Sequence, residues 1–249
     1  MAVQMLVPSP KGRRRQELGS LQSGLYNPIS TLASRGHHVY INANDTSDNQ
    51  VVLIERVGTI SDTETENALA LRKSVMNINH ENIARCINIF TEDNALYTVS
   101  APGEGNLLEN YASRFDQKTA ASYGIQLCNA INYLNKHHDF KNHGYISPTS
   151  VYITTGGRAK LANLASFLNV HAPTLSDISQ EGSRADVFGI CAVAAFMLTG
   201  KDFTDPKTSP VIDGVSPEFA AALLKGMEKD PSLRYANCEE LRQKLLQFQ

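Results

Sequence analysis

The chain lacks any apolar run approaching the roughly 18 residues that a membrane-spanning helix requires. Its longest stretch of that kind, around Val187–Leu198, is interrupted by Gly189 and reads as a core helix. Cysteine is scarce: Cys86, Cys128, Cys191 and Cys238 are far apart, with neither metal-ligand spacing nor the density of a secreted disulfide framework. They read as buried free thiols, and the expected location is the reducing cytoplasm. An excess of one charge sign is also missing. The 23 Lys and Arg against 25 Asp and Glu leave a formal net charge of -2, which gives no global attraction to nucleic acid or to anionic membrane. The N-terminal apolar run breaks at Pro8 and its basic residues follow it, the reverse of a signal peptide. No internal repeat is evident.

What is present is enough apolar material for a large core in one or two lobes: 249 residues, 42% of them hydrophobic. Residues 1–25 read as a flexible tail, punctuated by Pro8, Pro10, Gly12, Gly19 and Gly24, with a basic cluster at Lys11, Arg13, Arg14 and Arg15. That tail is either a solvated leader or a docking segment for an acidic partner. Strand signals follow at Val39–Ala43, Val51–Val57 and Leu96–Ser100. A helix is predicted over Thr63–Met76, opened by a capping box from Thr63 to Glu66. Beyond Gly103 the chain turns mostly helical, with helices over Lys118–Lys136, Ser183–Leu198, Pro217–Glu228 and Cys238–Gln247. A short hairpin at Val151–Leu161 turns at Gly156-Gly157. The class is α+β: a small, mainly antiparallel lobe over about 26–105 and a helical lobe over about 106–249.

The run from His143 to Tyr152, His-Gly-Tyr-Ile-Ser-Pro-Thr-Ser-Val-Tyr, resembles the catalytic loop of protein kinases, H-R-D-L-K-P-E-N. Further on, Asp186-Val187-Phe188-Gly189-Ile190 with Leu198-Thr199-Gly200, and Lys229-Asp230-Pro231-Ser232-Leu233-Arg234, resemble two C-terminal landmarks of the same superfamily. The likeness to bacterial-type Ser/Thr protein kinases covers roughly residues 28 to 246. It implies that fold, with Asp186 as a buried carboxylate accepting backbone N–H groups from the loop at His143.

The same resemblance shows every catalytic landmark replaced. The strand V-A-I-K, whose Lys holds the α- and β-phosphates, reads Val52-Leu53-Ile54-Glu55. Its helical Glu partner, nine residues ahead of His80, is Leu71. Tyr145 stands at the catalytic Asp, and Ser150 and Asn163 stand at the two metal ligands. The glycine-rich loop becomes Leu32-Ala33-Ser34-Arg35-Gly36-His37-His38-Val39, with Arg35, His37 and His38 read as exposed turn residues. Only residues 166–171 separate Asn163-Leu164-Ala165 from Ala172-Pro173-Thr174, so no activation segment able to hold a peptide substrate remains. Thr174 removes the carboxylate that pairs with the Arg at Arg234. A vestigial nucleotide pocket would be lined by Leu32, Val39, Leu53, Ser100, Ala101, Gly103 and Tyr152, with Leu53 and Tyr152 large enough to fill it. The resemblance implies a pseudokinase that binds no metal or cofactor and acts through a protein partner: a kinase, a phosphatase or a phosphopeptide-binding protein. The alternatives are an atypical ATP-binding kinase or nucleotide-dependent transferase, and a metal-independent nucleotide sensor.

The adjacent pairs His37/His38 and His137/His138 lack i,i+4 metal geometry and read as surface or cap histidines. Thr59, Ser61, Thr63 and Thr65 among Asp62, Glu64 and Glu66 read either as helix capping or as phosphorylation sites.

Overall fold

The computed structural model describes residues 19–35, 37–58, 60–111, 114–137, 143–144, 146–162, 182–203 and 210–249. The expectations placed on Tyr145, on Asn163 and on Ala172-Pro173-Thr174 lie outside the described residues.

The N-terminal lobe is an antiparallel sheet of β1 (Tyr26–Arg35), β2 (His38–Asp45), β3 (Gln50–Gly58), β4 (Arg85–Glu92) and β5 (Ala95–Ala101), in the order β1-β2-β3-β5-β4. Val39, Ile41 and Ala43 of β2 alternate with His38, Tyr40 and Asn42, so the two sets face opposite sides of the sheet. The first set joins Tyr26, Val52, Ile54, Phe90, Tyr97 and Val99 in an outer apolar cluster. Leu21 is buried in that cluster and bridges Tyr26, so the folded lobe begins before the expected boundary at residue 25. β1 and β4 carry no clear alternation and were not legible as strands. β1 is broken by bulges at Ile29 and Leu32, where two residues oppose one on β2.

Between β3 and β4 runs α1 (Asp62–Met76). Its capping box sits two residues earlier than expected, on Ser61 and Glu64: Ser61 Oγ accepts from the Glu64 N–H, and Glu64 reaches back to the Ser61 N–H. The helix buries only Ala68 and Val75, and Arg72 Nη2 ties it to Asn88 Oδ1 of β4 at 3.1 Å.

The C-terminal lobe holds α2 (Gln117–His137), α3 (Ser183–Thr199), α4 (Pro217–Gly226) and α5 (Cys238–Leu245). α3 is apolar on nearly every side and buried along its length from Ala185 to Leu198 apart from Phe196, as a helix through the middle of a core must be. It ends at Gly200, whose φ of 69° supplies the left-handed cap that lets the chain turn away. Ser216 caps α4, with Pro217 at its first position, and Asn237 caps α5. Among the described residues no helix is long and apolar enough to cross a membrane. All four cysteines are buried and free.

A small sheet of β6 (Gly105–Leu107), β7 (Val151–Thr154) and β8 (Ala159–Leu161) sits where the lobes meet. The segment after α1 docks against it: the Ala84 N–H donates to Leu161 O at 2.7 Å, and the Leu161 N–H donates to Asn82 O at 2.9 Å. The largest apolar cluster is continuous across this junction, from Val57, Val75 and Ile89 to Leu127, Ile131, Val193 and Leu223.

Candidate functional site

The cleft between the lobes is floored by β7 and roofed by the inner faces of β2 and β3. Directly opposed residues share a face, so Tyr40 and Glu55 point into it side by side, as do Asn42 and Leu53. Glu55 is 1% exposed, yet it is not an isolated charge. His38 Nδ1 lies 2.8 Å from Glu55 Oε1, Tyr40 donates its phenol to the same oxygen at 3.3 Å, and Thr98 donates Oγ to Oε2 at 3.4 Å. Donors from β2 and β5 replace the water that its carboxyl oxygens lose on burial. His38 is 3% exposed, not the surface or cap histidine expected, because it lies in β2 beside that carboxylate. Nearby, burial pushes the Cys86 thiol up to about 12, so it is protonated and inert at neutral pH.

Leu71 of α1 packs against the large core cluster and makes the apolar contact that its side chain allows. Val39 does not line the cleft. It packs with the outer cluster on the far face of the sheet, and Tyr40 takes the inward place. The apolar alternation of Val39, Ile41 and Ala43 carries this signal, whereas the resemblance to the glycine-rich loop puts Val39 in the inward place, one residue out of register.

Tyr40, Leu53, Ala33, Ala84, Leu107, Tyr152 and Ala162 form a separate apolar cluster between the lobes, with Leu32 against its edge. Tyr152 spans it. Its phenol donates to Gly103 O, in the linker joining the lobes, at 3.2 Å, and burial pushes its pKa up to about 12. Ser100 is buried and spends its hydroxyl on Leu53 O at 3.3 Å. Ala101 and Gly103 are exposed along the linker.

The loop at His143 is held from below by Asp186, as the resemblance implies. The His143 N–H donates to Oδ2 at 3.0 Å and the Gly144 N–H to Oδ1 at 2.8 Å. Complete burial of Asp186 outweighs both hydrogen bonds and raises its pKa to about 7. Ser150 is fully buried: its Oγ accepts from the Ser147 N–H at 2.8 Å and donates to Ser147 O at 3.0 Å. The hydroxyls of Ser147 and Thr149 bond each other at 2.8 Å. These hydroxyls close the loop upon itself. Arg234 also has partners: Nε donates to Glu228 O at 2.7 Å, Nη1 to Arg184 O at 3.2 Å and Nη2 to Lys229 O at 3.4 Å, with the guanidinium 4.9 Å from the Phe188 ring centroid.

No protein-family model matches the chain. The Aurora kinase of Schizosaccharomyces pombe (strain 972) is 32% identical over 101 residues, which is 39% of this chain and 27% of that protein. The Aurora kinase of Dictyostelium discoideum is 30% identical over 100 residues, covering 39% and 25%. The match thus spans about a quarter of those relatives. Among solved structures, a double mutant of the PknI kinase domain of Mycobacterium tuberculosis superposes with a TM-score of 0.70 at 14% identity, covering 90% of this chain and 95% of that one. Rad53 in complex with AMP-PNP gives 0.68 at 13% identity, covering 88% and 64%. A two-lobed protein-kinase-like fold, with an antiparallel sheet in one lobe and helices in the other, is therefore the architecture of this chain.

Proposed function

We propose that this chain is a pseudokinase: a protein-kinase-like fold without phosphotransferase activity that works by binding another protein. The partner would be an active kinase, a phosphatase or a phosphopeptide-binding domain. The observation that carries this reading is Glu55. At the position where the fold needs a cation for the nucleotide's phosphates stands a carboxylate, 1% exposed and tied to His38, Tyr40 and Thr98. At about 4 Å and an effective dielectric near 20, one misplaced unit charge opposes a phosphate charge by about 4 kcal/mol. Restoring a cation there would also leave Tyr40 and Thr98 without their acceptor. The hydroxyl of Ser150, used up within its own loop, supports the same reading for the metal position.

One observation favours a second reading, an atypical nucleotide-dependent kinase or a nucleotide sensor. The likeness extends to Aurora kinases and to a structure holding AMP-PNP. A thermal-shift titration separates the three. A ligand at a hundredfold excess over its dissociation constant adds about 2.7 kcal/mol of stability. The pseudokinase gives no shift with ATP, with or without magnesium or manganese. A metal-dependent shift marks the enzyme, and a metal-independent one marks the sensor.

A further inference from the structure

α1 gives little of its surface to the fold, burying only Ala68 and Val75 outright. At helical spacing Asp62, Glu66, Leu69 and Lys73 form a stripe turned away from those two, and all four are exposed, Leu69 at 45%. The chain enters the N-terminal lobe beside this helix. Asn88 of β4 accepts from Arg72 of α1 at 3.1 Å and donates Nδ2 to Gln22 Oε1 at 2.7 Å, so one side chain joins the first turn of the described chain to α1. The Gln22 N–H donates to Glu92 Oε2 at 3.2 Å. The turn that follows β4 then meets the entry to α1, where the Ile60 N–H donates to Asn94 O at 3.1 Å, and that turn exposes Asp93.

Residues 1–18 lead into this point. They carry an apolar run that ends at Pro8 and then Lys11, Arg13, Arg14 and Arg15, against a single acid, Glu17. We infer that this basic segment docks in cis on the outward face of α1, its cations against Asp62, Glu66 and Asp93. Charge selects the occupant and its place: Lys73 repels it from the far end of the helix, and the carboxylates hold it at the near end. The reach is sufficient. The stretch from Arg15 to Gln22 spans up to about 23 Å when extended, against about 22 Å for the whole of α1. So short a tether holds the segment at an effective concentration on the order of millimolar. Ion pairs this exposed are individually weak and screened by salt, so the contact is reversible. It lies on α1 and the β4–β5 turn and is independent of how the cleft is read.

Two measurements on the full chain test the contact. Carbodiimide joins an amine to a carboxylate that touches it. At low salt and low protein concentration it is expected to link Lys11 to Asp62, Glu66 or Asp93 within the monomeric band. Hydrogen exchange of residues 62–76 is expected to be about fivefold slower in wild type than in an Arg13→Glu/Arg14→Glu/Arg15→Glu variant, a difference that vanishes at about 1 M salt. In a Glu66→Lys/Asp93→Lys background the order inverts, and the reversed tail protects α1 better than the native one, which a change in helix stability alone would not produce. If that background does not fold, Glu66→Lys alone carries the test by shrinking the difference. Equal exchange of α1 in wild type and the reversed-tail chain overturns the docking, as do Lys11 links only to carboxylates away from this face. Links confined to a dimeric band overturn docking in cis and assign the tail to a second copy.

Discussion

The carboxylate of Glu55 takes hydrogen bonds from Tyr40 and Thr98 and pairs with His38, so it stabilises the fold while opposing phosphate. Removing it strands buried partners. Glu55→Ala is expected to lower unfolding free energy by about 3 kcal/mol, read from urea denaturation, because breaking a buried pair leaves the other half uncompensated. Asp186 makes a pH-dependent contribution with the opposite sign to a surface carboxylate. Its pKa rises from 3.8 to about 7 on folding, so between those values the folded state holds a proton that the unfolded state releases. Its stabilising effect is complete below about pH 4 and is lost as pH rises through about 7. Relative to Asp186→Asn, which lacks that titration, the wild type therefore loses stability between pH 5 and pH 8; parallel urea midpoints for the two proteins would refute the shift. Glu55 and Asp186 were both legible in the sequence as positions. The donors around Glu55 were not, because His38 and Tyr40 depend on a strand register that the motif alignment placed one residue off.

At the scale of elements, helices were easier to read than strands. The boundaries of α2 and α3 lie within one residue of those expected, since apolar spacing and the Gly200 cap mark them locally. β1 and β4 were missed because Pro28, two bulges and mixed side chains erase the alternation that marks a strand. The start of α1 offers a direct check. Two overlapping patterns, Ser61 to Glu64 and Thr63 to Glu66, both satisfy the capping-box rule, and only cap geometry decides between them. Ser61→Ala should reduce stability by about 1 kcal/mol, as loss of an N-cap does, while Thr63→Ala should change it by only a few tenths. Circular dichroism melts of the two variants measure the difference.

Over the whole molecule, the two lobes are tied by side-chain hydrogen bonds and a shared apolar core. Asn82, buried beneath the upper lobe, donates Nδ2 to Gln126 Oε1 at 3.1 Å and to Ala159 O at 3.0 Å, and Gln126 Oε1 accepts the Ala159 N–H at 2.9 Å. With the core continuous through this junction, the described parts of the chain are expected to unfold as one unit. Asn82→Ala should lower stability by about 2 kcal/mol and separate the near-UV and far-UV transitions, which are expected to coincide in the wild type. The two-lobed architecture was legible from a few loop and helix motifs spread along the chain. The ties between the lobes were not, because they rest on Asn82, Gln126 and Tyr152 meeting partners across long sequence separations.

On the reading proposed above, this cleft gives a nucleotide's phosphates no favourable place to sit. Isothermal titration calorimetry of the purified chain with ATP and magnesium measures that directly. Injection heats no larger than dilution are expected up to millimolar ATP. A saturable isotherm that strengthens with magnesium would contradict that reading.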